Sequence, residues 1–168
     1  AGAYNAVEYL IQTGCKRILY FSSSMNLEVA HRRYQGWRDA LQKHSLWHST
    51  EDIIIADTRE LAMEELPKLM NTHQHPDAIF CVNDHCASGV LYAAQRLGLK
   101  VPEDLSICGF SDAPLASITT PMLTTVEQHG TEIGTRAMQA LLRKLNGETC
   151  TPHTEIVQTN LIVRGTTK

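Results

Sequence analysis

The sequence has 168 residues, of which 43% are hydrophobic and 20% are charged, and its formal net charge at pH 7 is -3. This is an ordinary globular profile, and the weak acidic excess excludes the clustered basic face that nucleic-acid binding by this chain would need. No apolar run approaches the roughly 18 residues of a membrane span, and the start AGAYNAVEYL lacks the basic flank of a signal peptide. We therefore expect a soluble chain of one or two lobes.

The first part of the chain alternates between helical spacing of apolar residues and short continuous apolar runs. A first helix ends at Gly14 and is followed by the strand RILYF. A long amphipathic helix is predicted over 26–44, and the strand DIIIA follows it. The next helix carries apolar residues from Leu61 to Met70, and we expect Pro67 to bend or interrupt it unless the helix begins late.

The middle of the chain continues this alternation. Residues 78–82 form a continuous apolar run bounded by Pro76, which is the pattern of a strand in a covered parallel sheet. A helix closed by Gly98 and the strand LSICGF come next. Strands separated by helices of this length are joined in parallel by right-handed crossovers, which place helices on both faces of one sheet. The fold class is therefore α/β, with a doubly wound parallel sheet.

Beyond Pro121 the pattern changes. MLTTV predicts a short strand, and apolar residues at helical spacing predict a helix that ends at Gly147. Two extended pieces, TEIVQ and NLIVR, follow. No internal repeat, low-complexity segment or flexible linker interrupts the chain.

The cysteines and histidines give no metal or disulfide pattern. An odd number of cysteines at irregular spacings favours free thiols in a reducing cytoplasm. Zinc would need C-x-x-C pairs, and the HQH at 73–75 is better interpreted as solvated loop histidines. No G-x-G-x-x-G or Walker loop is present, so we predict no metal and no cofactor. The five cysteines are Cys15, Cys81, Cys86, Cys108 and Cys150.

Several motifs in matching order resemble one protein family over essentially the whole chain. They are RRYQGW, then HPDAIFCVNDHCASGVLYAAQRLGLKVPEDLSICGFSD, then TTPMLTTVEQHGTEIGTRAMQALL, and last LIVRGTT. The combination resembles the effector-binding region of the lactose-repressor/galactose-repressor (LacI/GalR) family of bacterial transcription regulators. The pairing of VPEDLSI-G-F with P-x-LTTV is specific to that family in a way that no single motif would be.

The resemblance implies a periplasmic-binding-protein-like fold of type I, with two lobes and a small ligand in the cleft between them. Residues 1–127 would form the complete second lobe, 128–158 would contribute to a first lobe that is only partly present, and 159–168 would be the return crossing and tail. Operator DNA would then be bound by a helix-turn-helix outside this chain. The resemblance also implies a homodimer in the cytoplasm, paired through surfaces such as DAPLASIT and the helix that starts at Asp84.

The resemblance assigns ligand-binding roles to two positions on the buried strands and helices. Arg33 matches an arginine that binds ligand hydroxyls in sugar-binding members, a task suited to its planar array of donors. A surface salt bridge is the alternative role, because Arg32 beside it is equally charged. Asn83 matches a cleft-facing amide, whereas a helix cap without ligand contact fits Asp84 better.

Four further candidates include two departures from the family pattern. Ser111 stands where many members place an aspartate, and Asp112 supplies the acid one residue later. Thr58 replaces an aromatic that would stack on a flat ring, so recognition of sugars or purines should differ. Gln128 is a cleft candidate at the crossing after LTTVE, with a role in hinge structure as its alternative.

Two other functions remain open at this stage. GFSDA approaches the G-x-S-x-G nucleophile elbow of hydrolases, but Ala113 replaces the last glycine and APLASITTP does not have the pattern of a helix starting after the serine. We therefore predict that the chain is not an enzyme. A periplasmic sugar receptor of a transport system shares the expected fold, and five free thiols argue against it because the periplasm oxidises exposed thiols.

Overall fold

The computed structural model describes residues 1–47, 49–72, 75–148, 151 and 153–168. Its central element is a sheet of four parallel strands in the order β2-β1-β3-β4. Each strand is short and apolar, as expected for strands covered on both sides. The strands are β1 Ile18–Ser22, β2 Ile53–Ile55, β3 Ala78–Cys81 and β4 Ser106–Cys108.

Helices cover both faces of this sheet, as a doubly wound fold requires. Alternate strand residues point to opposite faces, so Tyr20 and Phe80 pack in one core cluster while Phe21 and Ile79 pack in the other. The first cluster includes residues of α1 and α2, and the second includes residues of α3 and α4. These helices are α1 Gly2–Gln12, α2 Glu28–Lys43, α3 Arg59–Met70 and α4 Asp84–Arg96.

A short antiparallel ribbon extends the sheet beyond β4. It consists of β5 Thr125–Glu127 and β6 Asn160–Ile162. Parallel bridges join Cys108 to Thr124 and Ser111 to Glu127, so the ribbon runs directly beside β4 and the loop that follows it. This arrangement places the ribbon next to the carboxyl end of the sheet.

Threonine side chains tie the tail of the chain to the sheet. The Thr166 hydroxyl donates to the Ile107 carbonyl oxygen at 2.7 Å and accepts from the Thr124 backbone N–H at 2.9 Å. The Thr124 and Thr167 hydroxyl oxygens lie 2.8 Å apart. All three threonines are buried, where unpaired polar groups are costly, so these bonds fix residues 166 and 167 in place.

Helix α5, Gly130–Leu145, differs from the other helices because none of its residues is buried. Its apolar side chains nevertheless recur at helical spacing and form one stripe. The described part of the chain therefore leaves this stripe uncovered. The most exposed of its large apolar residues are Ile133, Met138, Leu141, Leu142 and Leu145.

The structure corrects two local predictions and agrees with a third. Helix α3 continues through Pro67, which lies near its end and so removes a single hydrogen bond from the last turns. TEIVQ forms no strand, since within 153–168 pairing begins only at Asn160. As predicted, no helix starts directly after Ser111, and the segment APLASITTP contains only the short 3-10 helix Pro114–Ser117.

Four of the cysteines are buried free thiols, as predicted, whereas Cys150 lies outside the described residues. Burial raises the pKa of the Cys81 and Cys108 thiols, which keeps them protonated and unreactive. His73 also lies outside the described residues, and among those described no group of three or more His, Cys, Asp or Glu side chains fits a metal ion. No described helix is long and apolar enough to cross a membrane.

Candidate functional site

The predicted ligand-binding residues lie at the carboxyl end of the parallel sheet or beside it. In doubly wound sheets this is the edge at which ligands bind. Thr58, Asn83 and Ser111 follow β2, β3 and β4, while Gln128 follows β5. Arg33 reaches the same edge from α2.

Arg33 lies across the ends of β3 and β4. Its Nη1 donates to the Val82 carbonyl oxygen, and its guanidinium stacks on the Phe110 ring at 3.9 Å from the centroid. Burial lowers the pKa of Arg33, and Tyr20 and Asp84 oppose that effect. The side chain is therefore held at the edge of the sheet and is partly removed from water.

Arg32 takes the surface role instead. Its Nε is 2.7 Å from a carboxylate oxygen of Glu28, one helical turn away, and both side chains are more than two-thirds exposed. The sequence left open which of the two arginines forms a surface salt bridge. The structure assigns that pair to Arg32 and leaves Arg33 at the sheet edge.

Asn83 takes the capping role that the sequence suggested for Asp84. Asn83 is the cap of α4, because its Oδ1 accepts from the Cys86 N–H at 2.8 Å. Its Nδ2 donates to the Asp57 carbonyl oxygen at 3.0 Å, which joins the loops after β2 and β3. The prediction that Asp84 is the cap was wrong, since both residues can cap and only the geometry distinguishes them.

Asp84 is a buried clamp between α4 and strand β5. One carboxylate oxygen accepts from the Thr125 hydroxyl at 2.5 Å, and the other accepts from the Ala113 N–H at 2.7 Å. Burial raises the pKa of Asp84, and these two hydrogen bonds oppose the rise. A Cβ atom on Gly109 would lie only 2.2 Å from the carboxylate, so glycine is required there.

The loop after β4 has an unusual backbone. Ser111 and Asp112 both have positive φ angles, 117° and 53° respectively, which non-glycine residues rarely adopt. The Ser111 N–H donates to the Val126 carbonyl oxygen at 2.8 Å. The Asp112 carboxylate lies 2.7 Å from Arg164 Nη1, and this ion pair is largely buried. Neighbouring strands and the tail thus hold the loop in its strained form.

A cavity of about 640 Å³ opens between this loop, β5 and α5. It brings together Ser111 and Asp112 with Glu127 and His129, and half-buried Gln128 lies between the last two. The His129 Nδ1 is 3.3 Å from the Glu127 carboxylate, and its Nε2 is 3.0 Å from the Asn160 side-chain nitrogen. Both ring nitrogens are engaged, so the ring is not positioned as a base for Ser111.

Thr58 has a structural contact in addition to its predicted role. Its hydroxyl oxygen accepts from the Leu61 N–H at 3.2 Å and caps α3, and the residue is exposed. Sequence reasoning missed Phe110, which supports Arg33, and Arg164, which holds Asp112. The aromatic in GF was a signal for the first, whereas the second pair joins distant parts of the chain and leaves no local pattern.

A comparison with protein families matches residues 7–167 to the periplasmic binding protein-like domain. The chain belongs to this family. The fold predicted from the resemblance is confirmed, and so is the resemblance to the LacI-type regulators, because the relatives and structural neighbours are regulators of that type.

The curated relatives are repressors that extend beyond the matched region. The repressor CytR of Escherichia coli strain K12 is 37% identical over 167 residues, which are 99% of this chain and 49% of the relative. The ribose operon repressor of Halalkalibacterium halodurans is 31% identical and covers 100% of this chain and 50% of its own length. This family member therefore spans about half the length of the curated relatives it matches.

The solved structures show the same fold. The regulator CcpA of Lactococcus lactis superposes with a TM-score of 0.93 at 25% identity, covering 99% of this chain and 61% of that one. A structure described as a complex of the regulator CelR with cellobiose gives a TM-score of 0.92 at 26% identity, with 98% and 51% covered.

Proposed function

We propose that this chain is the effector-sensing part of a bacterial transcription regulator that controls DNA binding allosterically. The observation that supports this most directly is the position of Arg33 and the Ser111 loop, at the sheet edge and beside the crossing strands. A molecule bound there contacts both the lobe and its crossings, so it can favour one lobe orientation over another. The relatives are repressors, which supports the expectation that the chain is not an enzyme and does not favour a periplasmic receptor.

The effector we propose is a small molecule, a sugar or a related metabolite. The CelR complex with cellobiose supports a sugar at this kind of cleft. Arg33, Asn83, Ser111, Asp112 and Gln128 would supply polar contacts, with Thr58 at the rim. An aromatic residue at position 58 would stack on the face of a sugar or purine ring. Because threonine stands there, we expect the ligand to differ from the sugars and purines that are recognised by such stacking.

The distribution of buried residues supports the proposed lobe assignment. All buried residues of both core clusters lie within residues 1–127, which agrees with a complete second lobe. Residues 128–158 contain α5, whose uncovered apolar stripe suits packing against the rest of a first lobe. Residues 159–168 return to the sheet through β6 and the buried threonines.

Operator DNA and a second copy of the protein are the proposed partners. CytR is named as a helix-turn-helix repressor, so we propose that DNA binding uses a region outside this chain, in the cytoplasm. The dimer surface we propose is the groove between α4 and the 3-10 helix Pro114–Ser117. It has a volume of about 350 Å³, and Ile118 at its edge is 80% exposed while Tyr92 is 39% exposed.

Two experiments test these proposals on the intact gene product. Sequencing the coding DNA upstream of Ala1 should reveal a helix-turn-helix followed by the remainder of a first lobe. A signal peptide in that place would instead make the protein an exported receptor. For the dimer, light scattering should show that Ile118→Asp shifts the protein to monomer, whereas the control Leu27→Asp, at a 51% exposed residue just before α2, does not. A wild-type monomer would contradict the dimer.

A further inference from the structure

His129 has a left-handed backbone at the point where β5 leads into α5. Its φ and ψ angles are 52° and 51°, a conformation that residues other than glycine rarely adopt. The turn brings the ring back beside β5, where its Nδ1 lies 3.3 Å from a carboxylate oxygen of Glu127. Such a backbone persists only where the surrounding contacts hold it. We therefore expect the contacts of this ring to hold the segment in place.

The His129 ring joins the two strands of the antiparallel ribbon. Glu127 of β5 and Asn160 of β6 are partners in the ladder, and the ring Nε2 lies 3.0 Å from the Asn160 side-chain nitrogen. A carboxylate only accepts hydrogen bonds and an amide nitrogen only donates them, so the neutral ring with its proton on Nδ1 satisfies both partners. We call these three side chains, Glu127, His129 and Asn160, the His129 bracket.

The bracket lies across the proposed boundary between the two lobes. In that assignment His129 belongs to the segment 128–158 of the first lobe, whereas Glu127 ends the second lobe and Asn160 lies in the return segment. A rotation of one lobe against the other therefore changes the distances within the bracket. Hinge motions are absorbed at a few such positions in the connecting segments.

The bracket is also the main polar link across this boundary. Among the described residues, the hydrogen bonds and ion pairs that join 128–158 to the rest of the chain are those of the His129 ring. On the other side of the boundary the ribbon is anchored, since the Arg164 N–H donates to the Thr124 hydroxyl oxygen at 2.9 Å. The ring thus connects a fixed ribbon to a segment that has few other polar contacts with it.

We infer that the His129 bracket is a hinge latch, which favours the relative orientation of the lobes in which its three side chains meet. This inference rests on the proposed function, since an effector would act by changing that orientation. The latch requires no contact between His129 and the effector. Loss of one hydrogen bond of the bracket should shift the ratio of the two lobe orientations about fivefold, which is the usual net effect of one hydrogen bond.

Pulsed electron paramagnetic resonance of the intact protein measures the ratio of lobe orientations. Spin labels are attached at exposed polar positions of α4 and α5 through Arg96→Cys and Gln139→Cys. Cys150→Ser prevents labelling at that position, and the other four cysteines are buried. Labelled protein is mixed with an excess of unlabelled protein, so that only distances within one copy are recorded. The populations in the distance distribution then give the ratio.

Two variants break the bracket in different ways. Asn160→Ala leaves the backbone at residue 129 unchanged and should shift the ratio about fivefold. His129→Gly keeps a residue that tolerates the left-handed backbone, and it should shift the ratio at least as far in the same direction because the whole ring is lost. The double variant should shift the ratio no further than His129→Gly does, since both changes break one bracket. Should His129→Gly fail to fold, Asn160→Ala decides alone.

His31→Ala is the control. His31 is an exposed histidine of α2 whose ring forms a side-chain hydrogen bond with Gln35 at 3.0 Å, away from the ribbon. This variant should keep the wild-type ratio, and a shift equal to that of Asn160→Ala would overturn the inference. A wild-type ratio in Asn160→Ala would also overturn it, as would additive effects of Asn160→Ala and His129→Gly, because the two residues would then act separately.

A metabolite extract of the host separates the inference from the proposed function. Added to the wild type, the extract should change the ratio of lobe orientations if an effector acts through them. A response to the extract without any effect of the bracket variants overturns the inference and leaves the proposed function standing. The reverse result supports the latch and contradicts the proposed function. A ratio that changes with neither the extract nor the variants overturns both.

Discussion

Replacement of Asp84 by alanine should destabilise the protein, because the clamp between α4 and β5 would be lost. The Thr125 hydroxyl and the Ala113 N–H would each lose an acceptor. A buried donor without a partner costs about 1–3 kcal/mol, so two donors cost about 2–6 kcal/mol. Removal of a buried charge offsets part of this cost, and we expect a net loss of about 3 kcal/mol.

Asp84→Asn separates the hydrogen bonds from the charge. Its amide oxygen can accept from the Ala113 N–H, and its amide nitrogen can donate to the Thr125 hydroxyl oxygen, without a charge to desolvate. We expect this variant to lose less than about 1 kcal/mol. Since the pKa of Asp84 is raised above 3.8 in the folded protein, the wild type should gain stability relative to Asp84→Asn as the pH falls through that raised value.

The assay is urea unfolding of the intact protein, followed by the fluorescence of tryptophan, because Trp37 is fully buried in the core. With a slope of about 2 kcal/mol per molar urea, the alanine variant should move the midpoint by about 1.5 M. Asp39→Ala is the control, since Asp39 is half-exposed and its surface pair should contribute at most about 0.5 kcal/mol. The clamp is refuted if Asp84→Ala behaves like this control, or if Asp84→Asn costs as much as Asp84→Ala.

Three further predictions concern single contacts. Lys43 lowers the pKa of Glu8 to about 2, so the stabilisation that ionised Glu8 provides is lost as the pH falls from 4.5 to about 2. Glu8→Gln should therefore flatten the pH dependence of stability in that range, and an unchanged profile of urea midpoint against pH would contradict this. Asn83→Ala should cost about 1–2 kcal/mol through loss of the α4 cap, measured by urea unfolding. Gly109→Ala should destabilise by at least about 2 kcal/mol because its methyl group would collide with the Asp84 carboxylate, and the double variant with Asp84→Ala should then be less than additive.

The strands of the sheet and the helices that cover it were predictable because the sequence patterns that indicate them are local. The continuous apolar run at β3 and the helical spacing in α2 each reflect burial along one element. TEIVQ has similar residues but forms no strand, because strand formation also needs a partner with free backbone groups. Such a partner is a property of the tertiary arrangement, and the composition of the segment does not reveal it.

The site was predictable in part, for reasons that differ from residue to residue. Arg33 stands three residues after Ala30 and four before Trp37, both buried, so the helical phase that buries them also directs Arg33 inward. Arg32 is out of phase and remains on the surface. That Asn83 rather than Asp84 caps α4 could not be foreseen, because both residue types cap helices and only distant Thr125 and Ala113 determine that Asp84 is drawn inward.

The threonine contacts of the tail also bear on the order in which the protein can assemble during synthesis. Thr166 bonds to Ile107, a partner that is made 59 residues earlier. The four parallel strands and their helices can associate as soon as β4 leaves the ribosome, since domains fold as their segments emerge. The edge beside β4 and β5 stays incomplete until residues 166 and 167 arrive, so a nascent chain paused before that point exposes an unprotected edge that neighbouring chains can join.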